Sequence, residues 1–482
     1  MIKTAEEYRE DVRKIKPRVF LGGELVKDIT EHPVTRTVIN TIAAMYDLAN
    51  NPKYKDIMVT KSELIGEDIS RFLKPCRSKE DLYKRHEASK LAAQTVGMCY
   101  YRCGGFEIAN PMFATTWEMD RDLGTSYHGR FTEFWKKLQK DDLHFSGGIT
   151  DVKGDRSKRP SEQEDLDMYT HVVEKRNEGI IVRGCKISQS GAYAAPEHIF
   201  APTTVLRKGE EDYAIVFALP AGTEGITYIA QYTPYTCERI MERSEHTGNP
   251  QYGVRETCMI VLDDVFVPWE RVFLHGEIEY SNKLLGRFIR MHRANCAGAC
   301  KVGILDAIIG ATKLMAEQLG IDGASHVREK LLEMIKDTGL AEACGLASIE
   351  RATEDPEGSG YYFPDPVFSN IAKWHGGEAF WRVLQNAGDI VGGIGVTMPS
   401  ERELENPETR DYIKKYLKTK VPAPERMRLV KFIQYWVAGL HGVGTWQGGG
   451  TPEFSKIPIY REYDFEERKE LAKRICGLKK NE

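Results

Sequence analysis

Apolar residues recur at helical spacing through a proline-free stretch over 281–319, with Leu284, Leu285, Phe288 and Met291 in register, and this predicts a long buried helix. The same period predicts helices near 325–352, 367–391 and 422–443 and a tail helix near 464–477, so the C-terminal part reads as a bundle. Residues 1–145 also read as mostly helical, with breaks at Pro17, Pro33, Pro52 and Pro75. Ser78 ahead of Glu80 and Asp81 predicts a capped helix start. That helix would carry Cys99 and Cys103 near its end, before Gly104-Gly105 stops it.

Between these regions the period becomes alternating. Strands are predicted over 169–174 and 180–187, joined by a hairpin connection at 175–179, and again over 213–219, 225–231 and 257–262. The predicted class is α+β, mainly α: an N-terminal helical domain over 1–145, a central β-barrel domain over 146–275 and a C-terminal four-helix bundle over 276–482.

Composition narrows the partners. A chain of 482 residues, 41% hydrophobic and 29% charged, can bury the cores of two or three ordinary globular domains. A net charge of −4 gives no global field toward nucleic acid or an anionic membrane. The N-terminus, MIKTAEEYREDVRKIKPRVF, is too charged for a signal peptide, and no apolar run reaches the roughly eighteen residues of a membrane span. The expected location is cytoplasmic, where the 10 cysteines read as free thiols and metal ligands rather than disulfides.

The candidate chemistry lies in two distant stretches. In FIRMHRANCAGACKVG (288–303), His292 and Cys296 lie about 40° apart on an ideal helix and Cys300 about 80° from His292, so all three share a face. In AAQTVGMCYYRCGG (92–105), Cys99 and Cys103 are again four apart. Such pairs also occur as small buried hydrophobes. If the two helices meet, three thiolates and an imidazole could enclose a cluster. The loop GGITDVKGDRSKRP (147–160), with Lys153 and Arg156, could hold a phosphate or a flavin edge on its backbone amides, or be a solvated loop. GTWQGGGTP (444–452) leaves its backbone free to approach a ligand.

These stretches belong to a longer series: TKSELIG (60–66), C-x-x-x-C (99–103), TDVKGDRS (150–157), IVRGCK-x-x-Q-S-G (181–191), EHIFAPT (197–203), DDVFVPWERVFL (263–274), HR (292–293), CKVG (300–303) and GDIVGGIGVTMPSE (388–401). With them the chain resembles the 4-hydroxyphenylacetate hydroxylase family, whose domain order is acyl-CoA dehydrogenase-like, and within it the 4-hydroxybutyryl-CoA dehydratase branch.

The resemblance implies a [4Fe-4S] cluster on Cys99, Cys103, His292 and Cys300. It implies FAD held by Thr150, Asp151, Lys153, Gly154, Asp155, Arg156 and Ser157, by Gln189 and Ser190, and by the turn containing Asp389, Ile390, Gly392 and Gly393, the last across a subunit contact of a homotetramer. The implied reaction is dehydration of 4-hydroxybutyryl-CoA to crotonyl-CoA, with vinylacetyl-CoA isomerisation. Its C3–H bond is not acidified by the thioester, so the flavin must supply one-electron chemistry while iron acts as Lewis acid on the hydroxyl. His292 would be both ligand and base. Lys301 is a candidate to polarise the hydroxyl or thioester oxygen and Glu256 a candidate second base, although each also reads as a structural residue. The alternatives within the family are a FADH2-dependent 4-hydroxyphenylacetate-type aromatic monooxygenase, which would not need the cysteine ligands, and a related dehydratase acting on a different acyl-CoA. The resembled pattern has one residue fewer between histidine and cysteine, which implies an insertion or helical bulge here and lets Cys296 compete with Cys300. It also has a tyrosine where this chain has Asn295-Cys296, and a carboxylate before the late glycine-rich loop that this chain lacks.

Overall fold

Helices start where the chain supplies caps. Thr4 and Glu7 form a reciprocal capping box at Ala5–Ile15 (α1), and the Ser78 hydroxyl accepts the Asp81 amide at 3.1 Å to open Lys79–Val96 (α3), as predicted. The computed structural model describes residues 2–233, 237–253 and 255–478. Its other principal helices are Pro33–Asn50 (α2), Cys103–Leu123 (α4), Tyr127–Lys140 (α5), Ile278–Asn295 (α6), Lys301–Leu319 (α7), Ser325–Glu350 (α8), Pro366–Val391 (α9), Arg410–Tyr416 (α10), Ala423–Ala438 (α11), Leu440–Gln447 (α12), Glu453–Glu462 (α13) and Phe465–Ile475 (α14).

Two predictions need correction among the helices. Gly97, left-handed at φ 65°, caps α3, so the helix ends before either cysteine. Cys99 therefore lies in the short connection and Cys103 opens α4, with Gly104-Gly105 inside that helix rather than ending one. The stretch expected as one helix over 422–443 is divided at Gly439, whose extended backbone separates α11 from α12.

The β region is not a closed barrel. The strands are Val19–Leu21 (β1), Glu24–Leu25 (β2), Phe145–Gly148 (β3), His171–Lys175 (β4), Gly179–Ser190 (β5), Glu197–Phe200 (β6), Ile215–Pro220 (β7), Ile226–Ala230 (β8), Thr257–Pro268 (β9) and Val272–His275 (β10). They form two open sheets, β2-β1-β8-β9-β5-β4 and β10-β7-β6-β3. Each keeps its edges because β2 and β4, like β10 and β3, pair on one side only. The predicted β4–β5 hairpin is present, and β1, from the stretch read as helical, runs parallel to β8.

One buried ion pair joins the two sheets. Lys186 of β5 reaches Asp151 at 2.7 Å and the carbonyls of Ile149 and Ala201 at 3.2 and 3.0 Å, all beyond the ends of β3 and β6. The helices pack around α9, which contacts α6, α7, α8, α11, α12 and α13. Helix α4 lies along α6, and α3 along α7, which sets the two candidate stretches side by side.

Candidate functional site

Between α6 and α7 the chain makes one π turn, Cys296–Cys300. This is the bulge that the longer histidine-to-cysteine interval implied. A π turn absorbs one extra residue, so the offset of Cys300 from His292 falls from about 80° to about 20°. Close backbone approach lets the turn fit: a Cβ on Gly298 would stand 2.6 Å from Gly345 Cα of α8.

Two further thiols, Cys99 and Cys103, gather beside it. Cys99 accepts a hydrogen bond from Cys103, which with Arg255 and the Tyr101 amide pulls the Cys99 thiol down to about 6 against the cost of burial. Cys103, as donor and by burial, is pushed well above its ordinary value. Burial first, then the charges of Cys99 and Cys296, do the same to Cys300. Among the described residues, no three His, Cys, Asp or Glu side chains converge tightly enough to hold a single ion.

His292 is held from behind. Its Nδ1 pairs with the Glu107 carboxylate, which has no solvent exposure and also accepts from Asn295 Nδ2 at 2.5 Å and lies 3.3 Å from Arg85. Burial opposes charging of the imidazole, but Glu107 outweighs it and holds the pKa above its ordinary value. The ring stacks on Phe288, with centroids 5.4 Å apart, and Nε2 faces the late glycine-rich loop. A Cβ on Gly449 would make ordinary contacts, 3.4 Å from His292 Cδ2 and 3.5 Å from Lys373 Cε, and it is the left-handed backbone there, φ 81°, that favours glycine.

The other face of the π turn is cationic. Lys301 donates to Cys296 Sγ at 3.2 Å and to the Gly448 carbonyl at 3.1 Å, and Lys373 of α9 donates to the Trp446 carbonyl at 2.6 Å. Burial opposes ionisation of Cys296, but Lys301, His292 and Lys373 outweigh it and lower its pKa. The turn thus gives its two cysteines different neighbours: Cys300 faces the Cys99 thiol, Cys296 the ammoniums.

The other predicted residues divide into three groups. Glu256, just before β9, is buried with one carboxylate oxygen lacking a protein partner, and burial raises its pKa well above the ordinary value. Its amide donates to Tyr101 Oη at 2.8 Å, which ties it to the Cys99 connection. In the 150–157 loop, Thr150 accepts from the Ile187 amide, Lys153 and Gly154 take positive φ, Asp155 closes an Asx turn on Ser157, and Arg156 is exposed. Asp151 is committed to Lys186 and the Thr170 amide. Gln189 donates to the Ile187 carbonyl, and Ser190 accepts from Arg255 at 3.0 Å. The third group, Asp389 to Gly393, lies at the far end of α9, where Asp389 pairs with Lys330, Ile390 packs against Ala316 and Val327, and Gly392 and Gly393 have open space where a Cβ would be.

Glu107, Lys373 and Arg255 were not singled out in the sequence. The available signals were a lone carboxylate within an apolar helical run and a lone lysine within SNIAKWHGG.

The comparisons agree over the full length. The model described as 4-hydroxyphenylacetate 3-hydroxylase N terminal matches residues 4–274, and the C terminal model of the same name matches 281–477. The chain is 38% identical to the 4-hydroxybutyryl-CoA dehydratase/vinylacetyl-CoA-Delta-isomerase of Clostridium aminobutyricum, over 99% of this chain and 100% of that one. An oxygen-tolerant archaeal 4-hydroxybutyryl-CoA dehydratase from N. maritimus superposes with a TM-score of 0.95 at 35% identity, covering 100% of this chain and 96% of the other. The oxygenase component of 4-hydroxyphenylacetate 3-monooxygenase, complexed with FAD, gives a TM-score of 0.86 at 26% identity, covering 98% of each. With its two family halves matched in order along one shared fold, this chain belongs to the 4-hydroxyphenylacetate 3-hydroxylase family.

Proposed function

We propose that this chain is a dehydratase of 4-hydroxybutyryl-CoA that forms crotonyl-CoA, with Δ-isomerase activity on vinylacetyl-CoA, and that it carries FAD and a [4Fe-4S] cluster. The observation that carries the reading is the π turn, which brings Cys300 toward the face of His292 while Cys99 and Cys103 gather opposite. The donor set fits: three soft thiols, one of them ionising easily, and an imidazole whose Nδ1 is fixed by a carboxylate so that Nε2 is the free donor. Cys99, Cys103, Cys300 and His292 would hold the cluster. The 150–157 loop, Gln189 and Ser190, with the 389–393 turn of another copy in a homotetramer, would hold FAD. The buried Thr203 hydroxyl and the Glu256 carboxyl oxygen, both without protein partners, fit a ligand on the β side.

When bound, FAD supplies one-electron chemistry and the cluster a Lewis-acidic iron. The chain's own groups do the rest. His292, oriented by Glu107, has one free lone pair, on Nε2, which would either hold the cluster or, when not coordinated, take a proton from the acyl chain. Glu256, kept protonated by burial, is suited to donate a proton at the substrate rather than take one. Lys301 steadies a substrate oxygen, and the 448–450 loop covers the imidazole and excludes water.

The test is incubation of anaerobically purified protein with 4-hydroxybutyryl-CoA, with crotonyl-CoA followed by chromatography. Its formation is expected. No product, together with oxygen-dependent hydroxylation of a phenol by the FADH2-loaded protein, would assign the chain to the monooxygenase side of the family.

A further inference from the structure

The connection from Cys99 to Cys103 holds a backbone shape that its residues do not favour. The Tyr100 carbonyl accepts the Arg102 amide at 2.8 Å, and Tyr101 between them has φ 63°. Such a bond closed about a left-handed residue is the rare, strained form of γ-turn, and among the described residues Tyr101 is the one aromatic residue with positive φ. Strain of this kind persists only where the surroundings over-determine it. The two tyrosines are held from opposite sides. Tyr100, fully buried, donates to Ser89 Oγ of α3 at 2.9 Å and accepts from Asn295 of α6 at 3.4 Å. Tyr101, 3% exposed, turns to the β side, where its Oη accepts the Glu256 amide at 2.8 Å. Its ring lies on Gly191, just past the end of β5, where a Cβ would stand 2.8 Å from Tyr101 Cδ1. The Gly191 amide in turn donates to the Glu256 carbonyl at 3.1 Å, so the two strand ends clamp the ring together.

The turn aims the Tyr101 amide at the Cys99 sulfur, to which it donates a hydrogen bond. Hydrogen bonds to the sulfurs of an iron–sulfur centre help set its reduction potential, because they stabilise the extra negative charge of the reduced form. We propose that Tyr101 is a positioning residue for the cluster: its ring, clamped by Gly191 and Glu256, holds the left-handed turn that keeps its amide on Cys99, so that the β side of the molecule tunes the cluster potential. This inference rests on the cluster reading and adds to it a residue outside the ligand set. Without the ring, a residue other than glycine at 101 gains by returning to negative φ, and the amide then leaves the sulfur. Gly191 directly follows Gln189 and Ser190, so the same contact registers the Cys99 connection against the strand end that would hold FAD.

The test uses the anaerobically purified holoenzyme. Iron, acid-labile sulfide and FAD are counted per chain, far-UV circular dichroism checks folding, and the cluster midpoint potential is read from a mediated redox titration followed by EPR. Tyr101→Ala is expected to keep the wild-type fold and cofactor contents while its potential moves to more negative values. Tyr101→Phe retains the ring and should stay near the wild-type potential. Gly191→Ala leaves residue 101 intact but presses on its ring, and should shift the potential in the same direction as Tyr101→Ala. Iron lost from both alanine variants but kept by Tyr101→Phe also supports the clamp. If Tyr101→Ala alone loses its iron, Gly191→Ala decides. An unchanged potential in a cluster-bearing Tyr101→Ala or in Gly191→Ala, or a shift in Tyr101→Phe as large as in Tyr101→Ala, overturns the role of the ring and leaves the cluster reading standing. A wild type with neither iron nor sulfide overturns the cluster reading itself, and this inference with it.

Discussion

Replacing Glu107 by glutamine tests how the imidazole is held. The carboxylate has no solvent exposure, accepts from His292 Nδ1 and from Asn295 Nδ2 at 2.5 Å, and forms an ion pair with Arg85, 3.3 Å away. A glutamine keeps the shape but offers one acceptor and one amine. If the amine faces His292 it donates to Nδ1 and forces the proton onto Nε2, which then cannot ligate. If the oxygen faces His292, the amine meets the donors of Asn295 and Arg85. Either orientation breaks the arrangement, and the side chain of Arg85, 4% exposed, loses its carboxylate. Breaking such a buried pair costs about 3–5 kcal/mol, and losing the carboxylate behind a ligating histidine costs roughly 10- to 100-fold in metal affinity. The assay is iron retained per chain after a fixed chelator challenge, alongside thermal unfolding. A Glu107→Gln protein that keeps wild-type iron and melts at the wild-type temperature would refute the reasoning.

Other predictions follow from the same accounting of buried groups. Lys186→Met leaves the buried Asp151 carboxylate without its ammonium and should cost about 3–5 kcal/mol in urea unfolding, with Asp151→Asn added to it recovering part. A loss below about 1 kcal/mol would show that the pair does not join the sheets. Gly298→Ala inserts a methyl 2.6 Å from Gly345 Cα and should destabilise by about 1–3 kcal/mol, and an unchanged melting temperature would contradict the close helix contact. The Glu342 carboxyl is pulled down to about 2, first by the His86 imidazole 3.8 Å away and then by Lys90 at 2.6 Å. Its folded pKa lies below the ordinary 4.5, so its stabilisation is complete above about pH 4.5 and lost as the pH falls toward 2. Glu342→Gln should therefore lower stability near neutrality and match the wild type near pH 2; a difference independent of pH would reject the linkage.

Much of the helical framework is legible because buried helices impose their period on the sequence. The stretches expected at 325–352 and 367–391 appear as Ser325–Glu350 and Pro366–Val391. The π turn shifts the helical phase only once, within a small-residue stretch, so 281–319 reads as one helix, and only the extra residue before Cys300 signals the bulge. Placement of Cys99 and Cys103 was missed because two glycines invite a helix end. The end falls instead at Gly97, where the left-handed residue is followed by Met98, Tyr100 and Tyr101 turning into the core. Alternation marks strands but carries no information about closure, so the open pair of sheets was not distinguishable from a barrel, and β1 joins from outside the alternating region. Glu107 and Lys373 are ordinary helix positions until the fold buries them against partners 185 and 73 residues away.

The central claim is that Cys99, Cys103, His292 and Cys300 hold one iron–sulfur centre. It is tested most directly by iron and acid-labile sulfide in anaerobically purified protein, wild type against Cys99→Ala and His292→Ala. The account predicts about four of each per chain in the wild type, with both variants depleted and inactive. A yellow flavoprotein with neither iron nor sulfide, or variants that keep full iron and full turnover, would contradict it.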